Sequence, residues 1–345
     1  MTSPMKSMFG THTTSASAWL RAVLVLLVLP LGLSGCAARA ANLELVQADD
    51  ENEVGYLCPM HPDHTSELPG QCPICRMTLV QGAIFDMRDY HLDFETVPAQ
   101  VKAGEKATLL FSVSHPGTGE QIKRFELTHD RPYHLFVISQ DMEFFQHIHP
   151  EQNEDGTWAI EVVLPKPGYY ALLSDFLPSG GATQFLTRPL VTAGFSGDLV
   201  GQSAQLVPDT WLTKTVDELT ATIKYDPDIM RAGAYSHITF NLTKTGTEEP
   251  VKELQTYLGA FGHMLIMSED MIDYVHSHPV EMIALEANLE TIRSGPTVMF
   301  EGLMPKPGRY RAWAQFRYND KLYTFTNTFE VYDVGVTPGA PRSGQ

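Results

Sequence analysis

The stretch "HLFVISQDMEFFQHIHP", residues 134–150, occurs a second time in the chain as "HMLIMSEDMIDYVHSHP", residues 263–279. In both, an apolar run leads into a Ser-x-Asp-Met segment and returns to His-x-His-Pro. Two β-forming runs separated by a few polar residues read as a hairpin. A shift of 129 residues aligns Pro98–Pro150 with Pro227–Pro279 without a gap, matching Ala103 with Ala232, Gly104 with Gly233, Phe111 with Phe240 and Lys123 with Lys252. Beyond an eleven-residue insertion, "LPKPGYY" at 164 meets "MPKPGRY" at 304. Self-similarity at a fixed spacing marks a duplicated domain.

Outward from this hairpin, runs such as "KATLLFSV", "WAIEVVL", "YYALLSDF", "HITFNL" and "RYRAWAQF" alternate apolar and polar positions between Gly, Pro and Asp clusters. That is the pattern of half-buried strands, and helical periods are nearly absent. "VDELTATI", residues 216–223, fits a helical turn or a strand edge. Each copy has room for about seven short strands, the size of an immunoglobulin-like sandwich. The PKPG segments read as turns between strands, with Pro presetting one dihedral and Gly permitting a positive one. The expected fold class is mainly β: a small metal knuckle followed by two tandem immunoglobulin-like β-sandwiches, at 88–197 and 215–334, with a tail at 335–345.

Residues two apart on a strand face the same way, so His147 and His149 form one imidazole pair and His276 and His278 another. An even-numbered loop at Ser139–Met142 sets His134 opposite His147, and the same register brings His263 to His276 and His278. Three imidazoles suit Cu(II) or Zn(II). Met142 and Met271, repeated with them, add a preference for Cu(I) but fall at the loop tip or on the other face. The competing reading is structural: a His-x-His-Pro corner can stabilise a turn, and duplication copies a corner as readily as a ligand set. The stretch "HLFVISQDMEFFQHIHPE" and its copy are similar to the YtkA-like domain, a secreted immunoglobulin-type module associated with metal handling. That resemblance implies binding rather than turnover.

Upstream, "YLCPMHPDHTSELPGQCPICRM", residues 56–77, separates Cys58 from His61 by two residues and does the same for Cys72 and Cys75. Each short pair can place two ligand atoms on one ion, and the Pro-rich turns and Gly70 let the pairs close a tetrahedron. A Cys72–Cys75 disulfide and a purely structural zinc knuckle are the other readings. Met60 and Met77 favour Cu(I), because thioether is a poor zinc ligand. The stretch resembles the small heavy-metal-binding domain found before the adaptor subunits of copper and silver efflux systems and in some copper-transporting P-type ATPases. That family's pattern is Cys-Pro-Met-His-Pro, then Pro-Gly, then Cys-Pro-x-Cys-Gly-Met. Cys58, Met60, His61, Cys72, Cys75 and Met77 all fall on it. Arg76 departs from it, standing where the family usually has glycine. The knuckle is expected at 55–82.

At the N-terminus Lys6 and Arg21 precede the apolar run "AVLVLLVLPLGL", too short to span a membrane and followed by "LSGC". The segment "LSGCAARA" resembles a bacterial lipobox, which implies a signal peptide at 1–35 and lipidation of Cys36, with a flexible tether at 36–54. Alanine rather than Asp at position 37 favours the outer membrane of a Gram-negative cell. Of 24 Lys+Arg, loss of Lys6 and Arg21 leaves 22 against 41 Asp+Glu, a net charge of −19. Such a surface repels phosphate backbones and attracts cations, so no nucleic-acid partner is expected. There is no nucleophile elbow, phosphate-binding glycine loop or HExxH helix, so no enzyme is expected. The expectation is an extracytoplasmic lipoprotein that carries copper, with zinc as the other candidate metal and an efflux or transport protein as partner. The alternative is an adhesive or scaffolding lipoprotein with a structural zinc.

Overall fold

The computed structural model describes residues 56–58, 64–66, 68–81, 89–197, 204–281, 283–284 and 287–336. All regular structure among them is β. Three two-residue strands, β1 (Tyr56–Leu57), β2 (Thr65–Ser66) and β3 (Val80–Gln81), form a small antiparallel sheet in the order β2-β1-β3. The first sandwich follows with β4 (His91–Val97), β5 (Lys106–Ser114), β6 (Phe125–Glu126), β7 (Tyr133–Ser139), β8 (Phe145–Ile148), β9 (Glu151–Gln152), β10 (Trp158–Val163), β11 (Tyr169–Pro178) and β12 (Gln184–Val191). The second comprises β13 (Thr213–Val216), β14 (Leu219–Asp226), β15 (Tyr235–Lys244), β16 (His263–Ser268), β17 (Tyr274–Ser277), β18 (Thr297–Leu303), β19 (Gly308–Tyr318) and β20 (Lys321–Val331). The ambiguous segment at 216–223 is the β13–β14 hairpin, turned at Asp217 with a φ of 49°.

In the first sandwich a sheet ordered β4-β5-β10-β9 packs on one ordered β12-β11-β7-β8. Alternation supplies the core between them: Leu109, Phe111 and Val113 from β5 meet Leu135 and Val137 from β7 and Leu172 from β11. The second sandwich repeats this with β13-β14-β15-β18 against β17-β16-β19-β20, closed by Ile238, Phe240, Met264, Ile266, Ala312 and Phe316.

The strands that carry the repeated histidines do not alternate. Every residue of β7 and of β16 is buried. Their inner faces serve the two sandwich cores, and their outer faces meet each other. Phe136, Ile138, Ala171 and Leu173 of the first sandwich form one hydrophobic cluster with Leu265, Met267 and Trp313 of the second. Phe145 lies flat on Trp313, with centroids 4.8 Å apart and planes 6° apart. The two sheets that carry the histidine hairpins are thus the inner layers of a four-layer stack.

The expected hairpin register is corrected by two residues. Phe136 pairs with His147, and Ile138 with Phe145, so the loop runs over the six residues Ser139–Phe144. The second copy matches, with Leu265 opposite His276. The longer loop has a reason in its own side chains. Asp141 accepts from Ser139 Oγ and from the Glu143 amide at 3.1 Å, and also pairs with Lys166 of the PKPG turn. Asp270 repeats these contacts with Ser268, the Ile272 amide and Lys306. Met142 and Met271 take left-handed dihedrals at the loop, φ 57° and 59°, and their side chains join the hydrophobic cluster between the sandwiches. A shift of two preserves the strand face, so the histidines stay together although their cross-strand partners change.

Because one aromatic contact closes the inter-sandwich cluster, Trp313→Ala is expected to cost about 3–5 kcal/mol. In urea denaturation it should also split the unfolding of the two sandwiches into separate transitions. A single transition with an unchanged midpoint would show that the sandwiches do not depend on this contact.

Candidate metal centre

The outer faces of β7–β8 and β16–β17 bring each histidine set together. Ligand-capable atoms of His134, His147 and His149 lie within 4.8 Å of one another, and so do those of His263, His276 and His278. Ring nitrogens facing away from each centre are tied to acceptors. His134 donates from Nε2 to the Thr128 carbonyl at 2.7 Å, and His263 from Nε2 to the Leu258 carbonyl at 3.2 Å. His147 donates from Nδ1 to Gln315 Oε1 at 2.9 Å, and the Gln315 amide is oriented by its own bond from Nε2 to Thr324 Oγ1. His276 donates from Nδ1 to Asp175 Oδ2 at 2.7 Å.

Each acceptor demands an N–H, and in a neutral imidazole that leaves the other nitrogen with a lone pair. The remaining atoms, His134 Nδ1 and His147 Nε2, face each other at 3.0 Å; His263 Nδ1 and His276 Nε2 do so at 3.5 Å. The third member of each set, His149 or His278, has an Nε2 that is buried without a hydrogen-bond partner. Converging lone pairs and an orphaned buried nitrogen are poor packing for a mere corner. They are what a cation with imidazole ligands requires, with the outer hydrogen bonds holding each ring.

Charge agrees. Burial pushes His134 down to about 4, with Asp175 pulling it partly back, and pushes His149 down to about 3, from an ordinary 6.5. Burial, followed by the neighbouring imidazoles, holds His147, His263 and His278 well below the ordinary value. Neutral imidazole is the form that binds metal.

The knuckle gathers Cys58, Cys72 and Cys75, with Sγ atoms within 4.8 Å and Cys58 Sγ 3.5 Å from Cys75 Sγ. None of the three is joined in a disulfide. Arg76 donates its amide to the Cys72 carbonyl at 2.7 Å, and the Cys72 amide donates to Met77 at 2.8 Å, curling the chain into the turn that presents the thiols. Arg76 adopts φ 63°, a conformation natural to glycine, which explains the residue expected there. Its guanidinium donates to the Ala284 carbonyl at 3.0 Å, tying the knuckle to the second sandwich. The Cys58–Cys75 hydrogen bond and then burial push the Cys75 thiol up, and burial pushes Cys72 up, so metal uptake must release protons. Met77 is buried with Cys58, Cys72, Leu79 and Leu177. Met60, His61 and Cys36 lie outside the described residues.

The two kinds of site are neighbours. Cys75 and Arg76 line a cavity of about 460 Å³ together with His129, His276 and His278. Met77 borders a smaller pocket with His129, Asp175, His276 and His278. His129 was missed in the sequence. It stands in a left-handed turn at φ 50° and stacks on His278 of the other sandwich at 3.6 Å between centroids. Its counterpart under the 129-residue shift is Leu258, also left-handed at φ 52°, so comparing the copies discarded it. The one signal was a histidine beside the repeated strand.

The family described as Domain of unknown function (DUF8832) matches residues 87–190 and 214–333, and the Heavy metal binding domain matches residues 56–81. No curated protein matches the chain. Among solved structures, the Escherichia coli adhesin FdeC is similar at 12% identity over 75% of this chain and 68% of that one, with a TM-score of 0.23. The Yersinia pseudotuberculosis adhesin InvE is similar at 8% identity over 70% of this chain and 60% of that one, with a TM-score of 0.22. A Salmonella alpha-2-macroglobulin is similar at 10% identity over 72% of this chain and 16% of that one, with a TM-score of 0.24. Likeness at these scores says nothing of ligand or partner.

The neutral, buried imidazoles set a pH dependence for the metal-free protein. In the unfolded chain they regain an ordinary value near 6.5, so below it the unfolded state binds protons that the native state refuses. Stability is full above about pH 6.5 and is lost as pH falls toward about 4, where His134 protonates in the fold. Urea midpoints measured across that window should fall steadily. A flat profile would mean that the imidazoles are not held neutral.

Proposed function

We propose that this chain, which belongs to the DUF8832 family, is an extracytoplasmic, lipid-anchored protein that captures copper at its knuckle and passes it to the histidines between its sandwiches. The heavy-metal-binding domain at 56–81 makes a metal ion its ligand. The observation that carries the rest is the shared cavity: Cys75 faces the same space as His276 and His278. A thiolate set with nearby methionine favours Cu(I), and imidazole suits copper as well as zinc, so the ion can pass from one set to the other without a change of oxidation state. The ion is cargo in this reading, not a cofactor for turnover. Transfer by ligand exchange fits the arrangement, because one half-buried thiol can share the ion with an imidazole before the two buried thiols release it. The anchor at Cys36, the outer-membrane location and an efflux or transport partner belong to the same proposal. They rest on the lipobox resemblance, the kinship of the knuckle and the acidic, cation-attracting surface.

The test is an anaerobic Cu(I) and Zn(II) titration of the mature chain against a competing chelator, beside Cys58→Ser/Cys72→Ser/Cys75→Ser and His147→Ala/His276→Ala. The parent chain should take up more Cu(I) than either variant, with the cysteine variant losing the tightest site. Cys75→Ser alone should slow passage of Cu(I) from the knuckle, read as loss of thiolate-to-copper absorbance. A single zinc held by the cysteines, inert to chelator and indifferent to the histidine variant, would replace this reading with the adhesive scaffold.

A further inference from the structure

Each of the two histidine sets can hold an ion of its own. We infer that they are one two-ion centre straddling the sandwich interface, with Asp175 and Gln315 as its cross-domain positioning residues. The inference rests on the copper-binding reading and deepens it.

Spacing is the first argument. Within the first set, ring centroids lie 4.8–5.3 Å apart, and within the second 4.6–5.7 Å. Between the sets the spacing is nearly the same: 5.6 Å for His134–His276, 5.9 Å for His147–His276 and 6.1 Å for His147–His263. The interface does not separate the imidazoles into two groups at a distance. It closes them into one cluster of six, lined on one side by Phe136, which stacks on His147 at 4.3 Å.

Reciprocity is the second. Asp175 and Gln315 occupy equivalent positions when the PKPG segments are aligned, and on their sheets they pair with His134 and His263 respectively. Yet each side chain reaches across the interface to a histidine of the other sandwich. Gln315 of the second orients His147 of the first, and Asp175 of the first orients His276 of the second. Each set is therefore complete only when the other sandwich is docked. A centre built this way reports on the interface and holds it shut when filled.

Asymmetry is the third. A carboxylate behind an imidazole makes it the better donor, while an amide fixes orientation without charge. Two cations held this close also repel, and Asp175 is a carboxylate hydrogen-bonded to one of the six, His276. The second set, His263, His276 and His278, fills first, and the first set fills second and more weakly. It is also the second set that faces the knuckle cavity.

The test uses Cu(II) and the full mature chain carrying Cys58→Ser/Cys72→Ser/Cys75→Ser, so that thiols neither bind nor reduce the ion. One equivalent should give the electron paramagnetic resonance signal of an isolated ion with nitrogen ligands. A second equivalent should give a broadened signal with a half-field line from spin–spin coupling. On the same background Asp175→Asn should weaken the first step about 10–100-fold, and Gln315→Glu should tighten the second. Two ions with independent signals would overturn the inference and leave copper binding standing, as would an Asp175→Asn effect confined to the second step. No uptake by the histidines would overturn both, whereas the intact knuckle's Cu(I) titration would still report separately on capture. The coupling readout needs no substitution inside the cluster, so it stands even if a buried variant fails to fold.

Discussion

Everything in this protein turns on two strands with both faces buried. A strand in a lone sandwich keeps one face to solvent, and polar residues there cost nothing. In β7 and β16 the outward face is covered by the other sandwich, so any polar group on it must find a partner or pay for desolvation. The imidazoles accept that condition by donating outward to carbonyls, an amide and a carboxylate. What remains inward is a set of ring nitrogens close enough to share a cation. The hydrophobic cluster around Trp313 and the histidine cluster beside it are two parts of one interface, the first giving adhesion and the second giving it a use.

The duplication explains why this interface is geometrically exact on both sides and chemically different. Both copies keep the hairpin, the Ser-x-Asp loop clamp, the lysine of the PKPG turn and the three histidines. They diverge where one copy reaches into the other: Asp175 against Gln315, and His129 against Leu258. Met142 and Met271, retained in the loop beside an Asp, look at first like part of a ligand set. In the fold the Asp organises the turn and the Met packs in the interface, so the retained positions divide into scaffold and site.

Much of this was legible in the sequence. Ligand spacing placed the knuckle, and the structure brings its three cysteines together. Alternation and the 129-residue repeat gave the sandwiches. The hairpin face was readable from parity, but the register was not, since loop length depends on the side-chain bonds of Ser139 and Asp141. The docking of the copies was written in "YHLFVIS" and "HMLIMS", continuous runs where half-buried strands would alternate, yet such runs do not name their partner. His129 was hidden for a related reason. Its role exists only across the interface, and the comparison of copies that revealed the other six histidines set it against a leucine.

The cross-domain pairs His147–Gln315 and His276–Asp175 have the connectivity of a two-fold dimer, drawn within one polypeptide. A true homodimer would be bound to repeat any change twice, and its halves would part on dilution. Fusion removes both constraints. The halves stay at a fixed local concentration however scarce the protein becomes, and one acid can stand opposite one amide. A single chain can in this way keep a polarised, two-sided interior that no pair of identical subunits could build.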